Sequence, residues 1–253
     1  MGFIPAVPSF ALGTGGVGGE ADTLIVSDLH LGLPISRPSE LLRVLETWRF
    51  KRLILLGDIF HDFGLRHLCA DTWRLLGHVR ALSSRREAEV VWVAGNHDRH
   101  LAPLVAKLLG IEVIESFSWS YGGRSFHALH GDRFDSFVSN HSRLAAILSR
   151  AYAFSMRRLS RRGEWPRRLD RLGVGALRLG EEVARGARRY ASGLPIDVIV
   201  CGHTHEPSHR VFDVRGPEGD RRRVEYFNSG AWLERPASFL AVAAGGVTIN
   251  RYP

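Results

Sequence analysis

Five short polar motifs in this sequence each follow an apolar, strand-like run and carry side chains that can bind a metal ion. The candidate ligands are Asp28, His30, Asp58, Asn96, His130, His203 and His205. Carboxylate, imidazole and amide groups together suit borderline divalent ions such as Mn²⁺, Fe²⁺ or Zn²⁺. Because sites in open α/β sheets form beyond the carboxyl ends of strands, we expect the five motifs to meet at one edge.

The spacing within the motifs favours two metal ions rather than one. One residue separates Asp28 from His30 and His203 from His205, so both side chains of each pair can turn toward a common centre. Seven ligands are too many for one tetrahedral site, whereas two ions that share a carboxylate would use them all. An isolated Asp or His after a strand is more often a turn residue, but turns alone do not require four histidines.

The segments around the motifs predict the elements that hold them. Apolar runs alternate with stretches of helical spacing early in the chain, and strand-like runs separated by turns follow near its end. This order predicts one α/β domain over residues 1–253, built as a two-layered sandwich of mixed sheets. Residues 134–195 stand apart, because they are helical by pattern and have thirteen Arg against four acidic residues between positions 143 and 189. We interpret them as an inserted helical cap.

Charge and cysteine content restrict the class of protein. The formal net charge of +8 and the pI of about 10.3 predict an anionic partner: a phosphorylated substrate, a nucleic acid or an anionic membrane surface. Genomic base composition explains the excess of Arg equally well. No apolar run reaches the length of about 18 residues that a transmembrane helix needs. Two cysteines are too few for a disulfide framework, so we expect a cytoplasmic protein. Nothing in the sequence indicates its oligomeric state.

The motifs DLH, GDIF, GNHD, HGD and GHTH, in this order, resemble those of calcineurin-like metallophosphoesterases over about residues 23–133 and 196–235. The resemblance implies a four-layer α/β/β/α sandwich of mixed sheets with the helical cap inserted. It also implies hydrolysis of a phosphoester or pyrophosphate bond at two divalent ions, with Mn²⁺ expected ahead of Fe²⁺ or Zn²⁺. One ion would then be held by Asp28, His30, Asp58 and His205. The second would be held by Asp58, Asn96, His130 and His203, so that Asp58 bridges the pair.

The same resemblance implies catalytic roles for two more residues of the GNHD motif. His97 would stabilise developing charge or protonate the leaving oxygen, and Asp98 would orient His97. A competing interpretation makes Asp98 the N-cap of the helix that follows. His61 is a candidate for lining the pocket, and Asn228 and Ser229 are weaker candidates for positioning Asp or His side chains.

Within the family, the sequence is similar to the UDP-2,3-diacylglucosamine diphosphatase group. The similarity rests on SDLHLG, on HGDRFD followed at once by the insertion, and on CGHTHEP ahead of EYFNSGAW. GDIFHDFG departs from the GD-x-x-DRG motif of protein phosphatases, which argues against that class. His97 is also a departure, because the best-studied members of the diphosphatase group have Arg there.

This similarity implies a nucleotide-diphospho lipid as substrate and release of UMP at the cytoplasmic face of the membrane. We expect cap residues to contact the substrate, namely Asn140, His141, Arg157 and Arg158. The stretch AAILSRAYAFSM offers more apolar surface than a phosphate-backbone groove needs, and it also suits peripheral contact with an anionic membrane. The alternative is a nuclease, or another small-molecule phosphodiesterase, whose basic cap binds the substrate.

Overall fold

Two mixed β-sheets packed face to face carry the five motifs. The computed structural model describes residues 12–13, 18–62, 67–140, 151–152, 154–155, 158, 173–216, 219–233 and 235–253. The first sheet contains, in order across it, β1 (Leu12–Gly13), β14 (Gly246–Tyr252), β13 (Ala237–Ala243), β3 (Thr23–Val26), β5 (Arg52–Leu56), β6 (Glu89–Val93) and β7 (Val113–Ile114). The second sheet contains β11 (Ser208–Arg215), β12 (Arg221–Asn228), β10 (Val198–Cys201), β9 (Arg124–Ala128) and β8 (Phe117–Tyr121). Strands β2 (Gly19–Glu20) and β4 (Trp48–Arg49) pair separately.

Helices connect these strands and cover the outer faces of both sheets. Those with bounds inside the described residues are α1 (Pro38–Thr47), α2 (Ala70–Ser84), α3 (Ala102–Leu109), α4 (Ser136–Asn140) and α5 (Gly173–Ser192). A 3-10 helix over Asp132–Phe134 follows β9. None of the described helices combines the length and the hydropathy that crossing a lipid bilayer requires.

The apolar runs ahead of the motifs become central strands that are buried on both faces. Strands β3, β5 and β6 are parallel in the first sheet, and β9, β10 and β12 are parallel in the second. Successive residues of a strand point to opposite faces, so Leu24 packs toward the first apolar core and Ile25 toward the second. A strand covered on both faces needs apolar residues at every position, which explains why these runs are continuous.

Three apolar cores separate four layers. One lies between helices α1 to α3 and the first sheet, and Trp92 is fully buried in it. The second lies between the two sheets and includes Ile54 and Phe227. The third joins the second sheet to α5 through Tyr226, Val183 and other residues. The four-layer α/β/β/α sandwich that the resemblance implies is therefore confirmed, whereas the two layers predicted from the order of the elements are too few, because helices cover both sheets.

Helix α5 belongs to the sandwich although it falls within residues 134–195, the predicted cap. Its residues Val183, Ala184, Ala187 and Ala191 are buried against the second sheet. Small apolar residues at helical spacing allow the helix to approach the sheet closely. The carboxyl-terminal part of the predicted insertion thus forms the fourth layer. Most of residues 141–172, on which the remaining cap prediction depends, lie outside the described residues.

Candidate metal centre

The candidate ligands follow the carboxyl ends of five strands, β3, β5, β6, β9 and β10. Backbone and side-chain hydrogen bonds join these loops across the two sheets. The backbone N–H of Asp28 donates to the carbonyl oxygen of Gly57 at 3.1 Å, and the N–H of His203 donates to Oδ2 of Asp28 at 3.0 Å. The strand ends therefore form one site, as expected from the positions of the motifs.

The first group of ligand atoms comes from Asp28, His30 and His205, whose donor atoms all lie within 4.8 Å of one another. The Nε2 atom of His205 is 3.3 Å from Oδ1 of Asp28, and the Nε2 atoms of His30 and His205 are 3.2 Å apart. His205 is the outermost member, because 44% of its side chain is exposed while Asp28 is fully buried. These are the residues assigned to the first ion, apart from the shared Asp58.

The second group contains Asp58, His130 and His203, which meet within the same 4.8 Å limit. Oδ2 of Asp58 lies 3.3 Å from Nε2 of His130 and 3.8 Å from Nε2 of His30. One carboxylate oxygen thus faces ligands of both groups, which is the geometry that a bridging role requires. The backbone N–H of His97, the residue after Asn96, donates to Oδ1 of Asp58 at 2.9 Å and so brings the Asn96 loop beside this group.

Unpartnered buried atoms show that this site fits cations. Oδ1 of Asp28, Oδ1 of Asn96 and Nε2 of His130 are buried and have no hydrogen-bond partner among the described residues. Leaving such atoms unpaired in the protein interior costs free energy. All three belong to the predicted ligand set, and each can offer a lone pair to a cation, Nε2 of His130 once it has lost the proton that faces Asp58. Divalent ions at this position would satisfy them together.

The electrostatics of the buried ligands lead to the same conclusion. Burial alone would raise the pKa of Asp58, but the charges of His130 and His97 outweigh it and hold that pKa well below its usual value. Burial lowers the pKa of His130, yet the Asp58 carboxylate raises it well above the ordinary range. Burial, reinforced by His97, lowers the pKa of His30 well below its usual value. Without a metal ion, a proton on His130 balances the negative charge of the Asp58 carboxylate. A bound cation would supply that positive charge instead, so metal binding should release protons.

The backbone of the ligand loops is held in an unusual conformation. Five of the six described non-glycine residues with positive φ are candidate ligands. They are Asp28 (φ 53°), His30 (φ 44°), Asp58 (φ 52°), His203 (φ 68°) and His205 (φ 60°). The left-handed region is uncommon for residues with a Cβ, and local strain of this kind is concentrated at functional sites. The loops are shaped for ligand placement at a cost in backbone free energy.

Two glycines make room for the ligands. A Cβ on Gly95 would overlap both the backbone nitrogen and the carboxylate of Asp58, and one on Gly57 would overlap the ring of His130. Gly57 also has a φ of 81°. The glycines of GNHD and GDIF are therefore required by close packing around Asp58 and His130.

Asp98 has partners different from those expected. Its Oδ1 accepts a hydrogen bond from the N–H of Gly95 at 2.8 Å, and its Oδ2 accepts one from the N–H of Ile59 at 2.7 Å. It is fully buried, and burial together with the charge of Asp58 raises its pKa to about 6. Asp98 thus ties the Asn96 loop to the Asp58 loop through these two backbone hydrogen bonds. It is not an N-cap either, because α3 begins at Ala102 with Leu101 at the N-cap.

The His61 loop orients His97 instead. Nδ1 of His97 donates to the carbonyl oxygen of His61 at 2.9 Å. This bond directs Nε2 of His97 toward the site, 3.9 Å from Oδ2 of Asp58. The His61 ring is buried, and its Nδ1 lies 3.2 Å from Nδ1 of His30. The rings of His30, His61 and His97 also form a third group able to hold a cation.

Sequence reasoning missed one residue of the site, Asp135. Its Oδ2 accepts a hydrogen bond from Nε2 of His203 at 3.0 Å, and the residue is buried. Asp135 belongs to the motif HGDRFD, but it directly follows a short 3-10 helix. Such a segment has no sequence periodicity from which the direction of the Asp135 side chain could be predicted. A buried acidic residue five positions after His130 is the one signal that the sequence offered.

Asn228 and Ser229 support the ligand loops from behind, as the weaker sequence hypothesis suggested. Nδ2 of Asn228 donates to the carbonyl oxygen of Gly202 at 2.6 Å, next to His203. The hydroxyl of Ser229 lies 2.7 Å from that of Ser27, and Ser27 in turn donates to Oδ2 of Asp28. These contacts fix the carboxylate of Asp28 so that its other oxygen faces the site.

The expected substrate-binding residues lie in the least described part of the chain. Asn140 ends α4 and is exposed, and Arg158 is exposed in a helical segment. His141 and Arg157 lie outside the described residues. The expectation that these four residues contact the substrate therefore stays a prediction.

Comparisons with known proteins give a family match. The family model of the calcineurin-like phosphoesterases matches residues 22–207. No curated protein matches the chain significantly.

Several solved structures are similar at low sequence identity. One is Vps29 from Entamoeba histolytica, as a D62A mutant, at 17% identity and a TM-score of 0.41, covering 90% of this chain and 97% of that one. Another is a novel archaeal phosphodiesterase at 15% identity and a TM-score of 0.48, covering 90% of this chain and 98% of that one. A third is a metallophosphoesterase from Sphaerobacter thermophilus at 18% identity and a TM-score of 0.43, covering 91% of this chain and 87% of that one. Likeness at this level carries no conclusion about substrate.

Proposed function

The chain belongs to the calcineurin-like phosphoesterase family, and we propose that this metal-dependent phosphoesterase cleaves the pyrophosphate of a nucleotide-diphospho lipid. The proposed substrate is UDP-2,3-diacylglucosamine or a close relative, with water adding to one phosphorus to release UMP and an acylated sugar 1-phosphate. The observation that carries the chemistry is the Asp58 carboxylate, which faces His30 on one side and His130 on the other.

The metal ions, His97 and Asp98 would each have a different role in the proposed reaction. Two divalent ions, with Mn²⁺ proposed, would lower the pKa of the attacking water and neutralise charge on the phosphoryl oxygens. His97 keeps its Nε2 facing the site through the bond from Nδ1 to the His61 carbonyl oxygen. When the ring is protonated, Nε2–H can donate to the oxygen that departs from phosphorus. Asp98 maintains the distance between the two loops by accepting backbone bonds from both.

The substrate class is supported by the motifs and by the charge of the chain. The net charge of +8 favours an anionic ligand. The resemblance to the diphosphatase group and the apolar stretch of residues 145–156 favour a lipid-linked one. Asn140, His141, Arg157 and Arg158 are proposed to contact this substrate, with the protein at the cytoplasmic membrane face.

A direct assay tests the substrate. Purified protein with Mn²⁺ should release UMP from UDP-2,3-diacylglucosamine, measured by chromatography of the nucleotide product. An Asp58→Ala variant is the matched control and should release none. If the protein releases no UMP but cleaves DNA, the alternative of a nuclease with a basic binding surface replaces the lipid proposal. Hydrolysis of a small aryl phosphodiester by the same preparation shows that the enzyme is active, so that either outcome can be distinguished from an inactive preparation.

A further inference from the structure

A groove lined by arginine lies between α5 and the β11–β12 hairpin, far from the metal centre. Its volume is about 1140 Å³. The arginines that line it are Arg185, Arg188, Arg189, Arg215, Arg221, Arg222 and Arg223, and the acidic residues are Glu182 and Asp213. Strand β12 connects the two places, because Arg222 lies near its start and Asn228, beside the His203 loop, ends it. Six residues of extended chain place them about 20 Å apart.

Three of these arginines are occupied by structural contacts. Nη2 of Arg222 donates to the carbonyl oxygen of Ala191 at 2.9 Å and also contacts that of Leu194, so Arg222 satisfies the carboxyl end of α5. Nη2 of Arg188 donates to the carbonyl oxygen of Asp213 at 2.9 Å. Nε of Arg223 lies 3.5 Å from Oδ1 of the same Asp213. These contacts shape the groove.

The other four arginines repel one another within the described part of the chain. Arg185, Arg189, Arg215 and Arg221 are exposed, and none forms a close ion pair with a described residue, although Arg185 adds to the effect of Arg210 in lowering the pKa of Glu181. Arg185 and Arg189 stand four residues apart on α5, where like charges destabilise a helix. Arg215 lies directly opposite Arg221 in the β11–β12 register, where like charges destabilise a sheet. A bound anion would relieve both repulsions at once.

We propose that this groove binds the phosphate backbone of a nucleic acid duplex. Guanidinium groups form bidentate bonds to phosphate oxygens, and four unpaired ones in a concave surface suit a row of phosphates. The described part of the lining contains no aromatic residue on which an unpaired base could stack, which favours contacts to the backbone. An anionic membrane is disfavoured, because Val214, the one apolar residue among the described residues of the lining, is buried and cannot insert into lipid. This inference does not depend on the substrate proposed above.

The test compares two quadruple variants of equal charge. The groove variant is Arg185→Gln, Arg189→Gln, Arg215→Gln and Arg221→Gln. The control variant is Arg43→Gln, Arg49→Gln, Arg80→Gln and Arg251→Gln, all exposed positions outside the groove. Fluorescence anisotropy with a labelled phosphorothioate duplex, which resists hydrolysis, gives the dissociation constants. Aryl phosphodiester hydrolysis should be the same in both variants and the parent protein, and the groove variant should unfold at a temperature no lower than the parent, because its substitutions remove two like-charge pairs.

Salt dependence supplies the quantitative expectation. Four phosphate contacts predict that the logarithm of the association constant falls against the logarithm of the salt concentration with a slope of about −3.6. The affinity for the duplex should therefore fall about 100-fold between about 50 and 200 mM salt. The control variant should keep this slope, and the groove variant should lose most of it together with the affinity. Equal losses in both variants would overturn the proposal in favour of net charge alone. It would also be overturned if the parent protein bound vesicles of phosphatidylglycerol and phosphatidylcholine but not the duplex.

Discussion

Nε2 of His203 donates a hydrogen bond to Oδ2 of Asp135 across a distance of 3.0 Å. The two residues lie 68 positions apart in the sequence and meet beside the second group of ligands. Because Nε2 is engaged, Nδ1 is the ring nitrogen of His203 that is available to a cation. A carboxylate partner of this kind fixes the ring orientation and increases the basicity of a metal-binding histidine.

Replacing Asp135 should therefore weaken metal binding without removing a ligand. An Asp135→Asn variant should bind Mn²⁺ about 10- to 100-fold more weakly, as measured by isothermal titration calorimetry. Its activity should recover at high Mn²⁺ concentration, because every ligand is still present. Asp71→Asn, at an exposed position on α2, is the control and should match the parent protein. Unchanged Mn²⁺ affinity in Asp135→Asn would show that the contact with His203 has no part in metal binding.

His61 should act on the first group through His30. Its Nδ1 lies 3.2 Å from Nδ1 of His30, so a His61→Ala variant removes a neighbour of a candidate ligand. We expect about 10- to 100-fold weaker metal binding with the number of ions per chain unchanged at saturation, measured by elemental analysis. A lower saturating metal content would instead identify His61 as a ligand itself.

His97 should matter most for substrates with poor leaving groups. A His97→Gln variant should lose about 10²- to 10⁴-fold in kcat while its metal content stays at the level of the parent protein. If Nε2 protonates the departing oxygen, the loss should shrink along a series of aryl phosphodiesters as the leaving group becomes more acidic. A loss that is the same across the series would mean that His97 stabilises charge and does not transfer a proton.

Gly95 and Gly77 offer a paired test of packing at the site. A Gly95→Ala substitution would push a methyl group into Asp58 and should destabilise the fold by about 1–3 kcal/mol, with loss of bound metal. Gly77 is exposed within α2 and has open space around it, so Gly77→Ala should stabilise the protein by about 0.5–1 kcal/mol. Thermal unfolding and elemental analysis measure both effects. A Gly95→Ala protein that retained its stability and metal would contradict the packing described around Asp58.

The sequence was most informative where strand and ligand are adjacent in the chain. Each buried run sets the position of the residues just after it, so Asp28 and Asp58 meet at the ends of the adjacent strands β3 and β5, while His130 comes from β9 in the second sheet. The order of the elements predicts an α/β sandwich of only two layers, and the four-layer architecture comes from the family resemblance.

The contacts that the sequence did not predict join segments that are distant in the chain, or they differ from a partner predicted among sequence neighbours. The partner of His97 is a backbone carbonyl in another loop, and no residue type indicates such a contact. Asp98 was assigned to its sequence neighbour, but its carboxylate bonds to the N–H of Ile59, 39 positions away. The arginines of α5 contributed to the prediction of an inserted cap, whereas the buried face defined by Val183 and Ala187 determines where the helix packs.

The central claim is a pair of cations joined by Asp58, and diffraction from crystals soaked in Mn²⁺ tests it most directly. The anomalous signal should show two ions per chain, about 3.5–4 Å apart, with the Asp58 carboxylate between them. One ion should contact Asp28, His30 and His205, and the other Asn96, His130 and His203. A single ion, or none among these side chains, would contradict the account.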